Sequence, residues 1–91
     1  MKRYRSRLRI VADILSIIAS EGRAGPTRIM YGANLSHERL VKYLKRLEEL
    51  GLIKSLKMGD RTAYELTEKG LDFLAEFRRI EAFSKAFGVE V

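Results

Sequence analysis

The chain of 91 residues is long enough for one compact domain and too short for two. Hydrophobic residues make up 46% of it and charged residues 33%, which is the balance of a folded soluble protein, and no apolar run could span a bilayer. There is no Cys, which excludes disulfides, thiolate metal sites and cysteine nucleophiles. The basic start leads into interleaved charge without a clean apolar run, so we expect no signal peptide and a cytoplasmic location.

The net charge of +6 is concentrated in the first half of the chain. Residues 1–46 hold 11 Lys or Arg against 3 acids, a balance of +8, whereas residues 47–91 hold 7 against 9, a balance of −2. Such asymmetry suggests an anionic polymer as partner, although membranes and acidic proteins also attract basic faces.

The first predicted helix runs from Ser6 to Glu21 and has apolar residues on two faces. One face can enter the core, and the other needs a cover from the last helix of the chain or from a partner. The two faces together comprise Leu8, Ile10, Val11, Ile14, Leu15, Ile17 and Ile18.

A loop with two glycines and the only proline separates the first helix from the second. It leaves room for a very short strand around Arg23 to Gly25. The second helix is predicted from Thr27 to Ala33, with Thr27 as a possible N-cap and with Ile29 and Met30 turned inward.

The third helix has stronger boundary signals. Ser36 is a good N-cap, Leu35 can pack against Leu40 as a hydrophobic staple, and Gly51 supplies the left-handed residue that commonly ends helices. At 100° per residue the helix has an apolar inner side and a charged outer side. The inner side holds Leu40, Tyr43, Leu44, Leu47 and Leu50, and the outer side holds Glu38, Val41, Lys42, Lys45 and Glu49.

After Gly51 the hydrophobic period changes to two, and "LIKSLKM" and "RTAYEL" flank a "GD" that suits a tight hairpin turn. This turn predicts the pairs Met58 with Arg61, Lys54 with Glu65 and Ile53 with Leu66, and a buried face of Ile53, Tyr64 and Leu66.

The last helix is predicted to begin after the N-cap Thr67 and to run to about Phe87, with a staple between Leu66 and Leu71. Leu71 and Leu74 should close the core. The other apolar stripe is a candidate dimer interface, paired antiparallel with a second chain; the alternative is that the helix folds back along Ile10 and Ile17. The interface residues are Phe73, Phe77, Ile80, Phe83 and Phe87.

The order of helix, short strand, two helices, hairpin and helix predicts a mainly α protein with a small hairpin (α+β), a winged helix in which "YGANLS" forms the turn of a helix-turn-helix. The stretch "TRIMYGANLSHERLVKYLKRLEELGLI", Thr27 to Ile53, closely resembles the small archaeal winged-helix DNA-binding proteins, which include chromatin-associated and regulator-like members. The match continues through "YELTEKG" at Tyr64 to Gly70. The resemblance implies a DNA-binding fold without a cofactor and dimers formed through the last helix, which is shorter here than the coiled-coil arm of chromatin-type members.

The chain is thus expected to be one domain with a basic arm (1–9), a helix-turn-helix (27–50), a wing (52–66) and a dimerisation helix (67–88). Candidate DNA contacts lie on the arm, the third helix and the wing tip. They are Arg3, Arg5 and Arg7; Ser36, His37, Glu38, Arg39, Val41, Lys42, Lys45 and Arg46; and Lys57 and Arg61.

Each group of candidates has a plainer interpretation. The lysines of the third helix could merely pair with Glu38 and Glu49, the arm could be a disordered solubilising tail, and His37 could be solvated. Base contacts would have to come from Glu38, Val41, Lys42 or Lys45.

Catalysis is not expected, because the chain has one His, no placed acid pair, no Gly-rich phosphate loop and no metal-ligand spacing. The leading hypothesis is a dimeric, nucleoid-associated protein that binds double-stranded DNA as a transcription regulator or chromatin component, with no small-molecule ligand inferred. The alternatives are a winged-helix module for protein interaction in a larger complex and, less favoured, an RNA binder, because the A-form major groove is too narrow for the helix.

Overall fold

The computed structural model describes residues 5–89 and contains four helices and one antiparallel hairpin. Arg3 therefore lies outside the described residues. The order of elements is the predicted one, and the winged-helix architecture is confirmed. The elements are α1 (Arg7–Glu21), α2 (Pro26–Ala33), α3 (His37–Glu49), β1 (Ile53–Met58), β2 (Arg61–Leu66) and α4 (Glu68–Ala86).

The core lies around α1, against which α2, β2 and α4 all pack. No polar or charged side chain of residues 5–89 is buried, so the core is held by apolar contacts, each large side chain contributing roughly 2 kcal/mol. The largest fully buried side chains are Ile14, Leu15, Ile18, Ile29, Leu40 and Leu47.

The predicted short strand is a single bridge between Ala24 and Tyr64. The Ala24 N–H donates to the Tyr64 carbonyl at 3.0 Å, and the Tyr64 N–H donates back at 2.8 Å. The next helix, α2, begins at Pro26 with Gly25 as N-cap, so the prediction of Thr27 as N-cap was wrong. Proline takes the first helical position readily because its φ is already helical and its missing N–H has no partner there.

The break between α2 and α3 depends on Asn34, whose φ of 55° is left-handed. Asn34 caps α2, and its N–H donates to the Tyr31 carbonyl at 3.2 Å. Two residues later, the Ser36 hydroxyl accepts from the Arg39 N–H at 3.3 Å and starts α3, as predicted. The chain thus stops one helix and starts the next within three residues, which forms the turn of the helix-turn-helix.

The end of α3 is a Schellman motif. Gly51 has a φ of 77°, and its N–H donates to the Glu48 carbonyl at 3.0 Å. The Leu52 N–H donates to the Leu47 carbonyl, also at 3.0 Å. The predicted stop at glycine is confirmed, and both leucines are buried beside it.

The start of α4 is bound to this end of α3. The Thr67 hydroxyl accepts from the Gly70 N–H at 3.0 Å, which confirms the predicted N-cap, and donates to the Gly51 carbonyl at 2.5 Å. The Thr67 N–H donates to the Leu52 carbonyl at 3.1 Å. Glycine at position 70 lets the α4 backbone approach Leu52 this closely.

The hairpin has the predicted register. Gly59, with a φ of 70°, makes the turn. The Lys54 ammonium lies 3.7 Å from a Glu65 carboxylate oxygen, and Arg23 donates to the other oxygen at 2.6 Å. That hydrogen bond from Arg23 lowers the pKa of Glu65. The pairs are Ile53 with Leu66, Lys54 with Glu65 and Met58 with Arg61.

The face of α4 that closes the core differs from the predicted one. Leu74 and Phe77 are buried, Phe73 packs against the core, and Leu71 is 53% exposed. The buried stripe begins at Gly70 and continues at positions 74 and 77, one turn and two turns later, so Leu71 is rotated away from it. Leu74 is in the core as predicted, whereas Leu71, also predicted there, is a surface residue. Phe77 and Phe73, both predicted at the dimer interface, are instead a buried residue and a partly buried residue packed against the core.

Arg9 and Ser16 of α1 contact α4, which is one of the two covers expected for the second face of α1. The Arg9 guanidinium lies 5.1 Å from the centre of the Phe77 ring and donates to Glu81 at 2.5 Å. This hydrogen bond lowers the pKa of the Glu81 carboxyl. Arg78 also reaches Ser16, with 3.5 Å between the guanidinium and the hydroxyl.

Candidate nucleic-acid interface

The outer side of α3 is exposed, because Leu40, Leu44 and Leu47 anchor the opposite side in the core. Ser36, just before the helix, is also exposed. All the candidate contacts predicted on the helix itself lie on its exposed surface: His37, Glu38, Arg39, Val41, Lys42, Lys45 and Arg46.

Ion pairs among residues 5–89 neutralise many of the cations, but on this surface only Arg46 has such a pair, with Glu49 at 3.7 Å. Carboxylates lie within 4.0 Å of Arg5, Arg9, Arg23, Arg28, Arg46, Lys54 and Arg79. Lys69 and Arg78 donate to uncharged oxygens instead. The seven remaining Lys and Arg of residues 5–89 have neither kind of partner within those residues, and we call them the unpaired cations: Arg7, Arg39, Lys42, Lys45, Lys57, Arg61 and Lys85.

Arg5 contributes to the fold instead of presenting a free charge. Its guanidinium donates to the Asp13 carboxylate at 2.8 Å and to the carbonyl of Asn34 at 3.2 Å. It therefore ties the start of the described chain to α1 and to the turn before α3. Because both contacts are within the chain, the charge of Arg5 is already compensated by the fold.

A cleft lies between the first turn of α1 and one flank of α3. We call it the α1–α3 cleft; its volume is about 450 Å³. Sequence reasoning assigned Tyr43 to the core and missed its place here, although its spacing of four from Arg39 and three from Arg46 would put all three on one flank. The lining residues are Arg7, Arg39, Lys42, Tyr43 and Arg46.

The other flank of α3 faces the start of α2 and the hairpin across a smaller cleft, and its polar groups include His37, Lys45 and Tyr64. Burial raises the pKa of Tyr64, and the charge of Glu48 raises it further. The Tyr64 phenol therefore remains a protonated hydrogen-bond donor at neutral pH.

The wing places two unpaired cations beside its tip, Lys57 and Arg61, and both are exposed. Arg61 also lines a cleft with Pro26, Thr27 and Arg28 at the start of α2. Sequence reasoning did not foresee that α2 begins beside the wing, because the bridge between Ala24 and Tyr64 joins segments that are distant in the sequence.

The described part of the chain offers little for other chemistry. Among residues 5–89, no three His, Asp or Glu side chains are grouped so that they could hold a metal ion. None of the four helices combines the length and apolar character needed to cross a bilayer.

Comparisons with known proteins agree with the winged-helix architecture of the structure. The family model described as "winged helix-turn-helix" matches residues 4–85. MJ0287, an uncharacterised protein of Methanocaldococcus jannaschii, is 41% identical over 70 residues, which are 76% of this chain and 67% of that protein.

Solved structures show the same fold. The crystal structure of Sso10a-2, a DNA-binding protein from Sulfolobus solfataricus, superposes with a TM-score of 0.80 at 30% identity, over 91% of this chain and 85% of that one. The oxidised form of MarR from E. coli superposes with a TM-score of 0.71 over 76% of this chain and 51% of MarR; at 20% identity this shows the fold alone. With a family model that matches most of its length and the helix-turn-helix and wing in place, the chain belongs to the winged helix-turn-helix family.

Proposed function

We propose that the protein binds double-stranded DNA, as a transcription regulator or a chromatin-associated protein. One observation carries the proposal: six of the seven unpaired cations lie on the start of α1, the outer side of α3 and the wing. Duplex DNA presents one negative charge per roughly 1.7 Å of its axis and would neutralise such a surface. The similarity to Sso10a-2, a DNA-binding protein, supports the same function.

In this proposal α3 enters the major groove and the wing contacts the adjacent backbone. The side chains of α3 that point furthest from the core would meet base edges. A lysine such as Lys42 or Lys45 can donate to guanine, Glu38 can accept from cytosine, and Val41 can contact a thymine methyl group. Ser36 and His37, at the N-terminal end of the helix, would lie beside a phosphate.

Alanine substitution tests this assignment. Lys42→Ala and Lys45→Ala should each weaken duplex binding by roughly 5- to 150-fold, the range of one direct contact. The melting temperature should change little, because both side chains are exposed and bind no other group of residues 5–89. Fluorescence anisotropy on labelled duplexes gives the affinity, and circular dichroism gives the melting curve.

Lys85→Ala is the matched control, because Lys85 is also an unpaired cation but lies in the last turn of α4. Equal binding by the parent and both α3 variants would remove α3 from the interface. A loss as large in Lys85→Ala would show that only total charge matters. Selection from a random duplex pool then separates the two roles, since a regulator enriches a sequence motif and an architectural protein does not.

We further propose that two copies pair through the C-terminal half of α4. Ile80, Phe83 and Phe87 are 54%, 68% and 69% exposed and lie on one side of the helix, and the rings of Phe83 and Phe87 are 4.9 Å apart. Because more than half of each of these side chains is exposed, residues 5–89 leave this apolar stripe largely uncovered. A two-fold axis would bury the same stripe on both copies. Exposed apolar patches of this kind commonly mark such interfaces.

Charge placed on this stripe should separate the copies. Ile80→Glu and Phe83→Glu are each expected to convert a dimer to a monomer while the fold survives, because both side chains are exposed. Phe77→Glu is not a useful variant, since it would place a charge in the core. Light scattering after size exclusion measures the mass.

The control is Ala82→Glu, which adds the same charge on the opposite, exposed side of α4. It should leave the dimer intact. A parent protein that is already monomeric at tens of micromolar would contradict the pairing, whatever its affinity for DNA.

A further inference from the structure

The α1–α3 cleft gathers four cations around one phenol. Arg39, Tyr43 and Arg46 share a flank of α3 because they are spaced by four and three residues. Arg7 comes from outside the helix-turn-helix, as the first residue of α1.

Arg7 lies in an electrostatically unfavourable position. It occupies the N-terminal end of a helix, where the backbone dipoles favour anions, and the first turn of α1 carries no acidic residue. Arg7 and Arg39 are both unpaired cations. Arg46 has only a loose pair with Glu49, at 3.7 Å, in which both side chains are more than half exposed, so changing partner costs little.

Tyr43 supplies a fixed hydrogen-bond donor. Its ring is half-buried and packs against the core, which holds its position. Its hydroxyl has no hydrogen-bond partner within residues 5–89. Every buried polar side-chain atom of these residues does have a partner, so the Tyr43 hydroxyl must be open to solvent. A donor held in place beside positive charge fits the oxygen of a phosphate group.

We propose that the α1–α3 cleft binds the phosphodiester backbone of one DNA strand, with the Tyr43 hydroxyl donating a hydrogen bond and Arg7, Arg39 and Arg46 supplying charge. The inference rests on the proposed DNA binding and adds to it a backbone site that includes α1. The cleft volume of about 450 Å³ accommodates a segment of DNA backbone and is much larger than a single small ion needs. Contacts of this kind fix the register of α3 in the groove and carry no sequence information themselves.

Removal of one oxygen atom tests the site. Tyr43→Phe keeps the packed ring and should weaken binding roughly 10- to 150-fold, the effect of one hydrogen bond to a charged group, equally on all duplexes and without a change in melting temperature. Arg7→Ala should weaken binding on all duplexes and reduce the salt slope by about 1. The matched control is Tyr31→Phe, because Tyr31 is 75% exposed on α2 and lies outside the cleft. This variant should bind DNA like the parent.

The outcomes separate this inference from the proposal on which it rests. If the parent binds DNA and both Tyr43→Phe and Arg7→Ala bind equally well, the cleft assignment is wrong and DNA binding stands. If the variants change the preferred sequence, the cleft contacts bases and the assignment is also wrong. A parent that binds no duplex removes the proposed function and the inference together.

A free polyanion carries the same phosphate groups as the DNA backbone, so its binding to the cleft has to be measured separately. Inorganic tripolyphosphate, titrated into the parent without DNA and followed by NMR, should shift Tyr43 only weakly and at millimolar concentration. Micromolar binding that Arg7→Ala abolishes, with unchanged DNA affinity in that variant, would assign the cleft to a free anion and overturn the inference.

Discussion

Gly70→Ala should destabilise the protein by more than about 3 kcal/mol, above the usual cost of overpacking. A β-carbon at this position would lie 2.0 Å from the Leu52 carbonyl oxygen and 3.0 Å from its carbon. Both atoms belong to the backbone, so no rotamer change relieves the clash. α4 would have to lift away, and the hydrogen bond from the Thr67 N–H to Leu52 would be lost. Because small domains are stable by only about 5–15 kcal/mol, much of the population should unfold on mild heating.

Gly25→Ala is the comparison variant. Its β-carbon would meet nothing closer than the Thr62 carbonyl oxygen at 3.8 Å, and its φ of −81° suits any residue. It should cost about 1 kcal/mol at most, as an altered N-cap. Urea unfolding followed by circular dichroism measures both variants. If Gly70→Ala has nearly the same free energy of unfolding in urea as the parent, the close contact between α4 and Leu52 does not exist in solution.

Affinity for a duplex just long enough to contact one protomer should fall about 10³-fold between 50 and 200 mM salt. Each phosphate contacted by a cation releases counterions and contributes about −0.9 to the slope of log affinity against log salt concentration. Six unpaired cations lie on the proposed interface, so a slope of about −5 is expected if each meets one phosphate. Anisotropy titrations at four or five salt concentrations give this slope.

Two substitutions calibrate the salt measurement. Arg39→Ala should make the slope shallower by about 1, whereas Lys85→Ala, at the far end of α4, should leave it unchanged. Affinity that hardly varies across this range of salt would contradict an interface built on cations.

Sequence reasoning succeeded where structure is decided within a few residues. The hydroxyl of Ser36 and the left-handed Gly51 fix the ends of α3, and the "GD" turn fixes the hairpin register through Gly59. It failed at α2, where Pro26 took the first helical position in competition with Thr27 as N-cap. Both outcomes follow from local chemistry, which a sequence contains in full.

The remaining errors concern contacts between distant segments. Which stripe of α4 is buried depends on how closely Gly70 approaches Leu52, and no periodicity within α4 shows this. For the same reason Phe77 and Leu71 exchanged their predicted environments. The partners of Arg5 and the exposure of the Tyr43 hydroxyl depend on how α1 crosses the helix-turn-helix, so the sequence predicted a basic surface but not which of its residues are already paired.

The two ends of the wing meet where Thr67 donates to the Leu52 carbonyl, so the hairpin leaves and returns at one fixed point. The acceptors at this point, the carbonyls of Leu50, Gly51 and Leu52, all belong to the backbone, and the Lys69 ammonium donates to the first of them at 2.9 Å. Residues inserted at the turn of Gly59 and Asp60 would therefore extend the reach of the wing without changing the angle between α3 and α4. The length of the wing can therefore change independently of the helical scaffold.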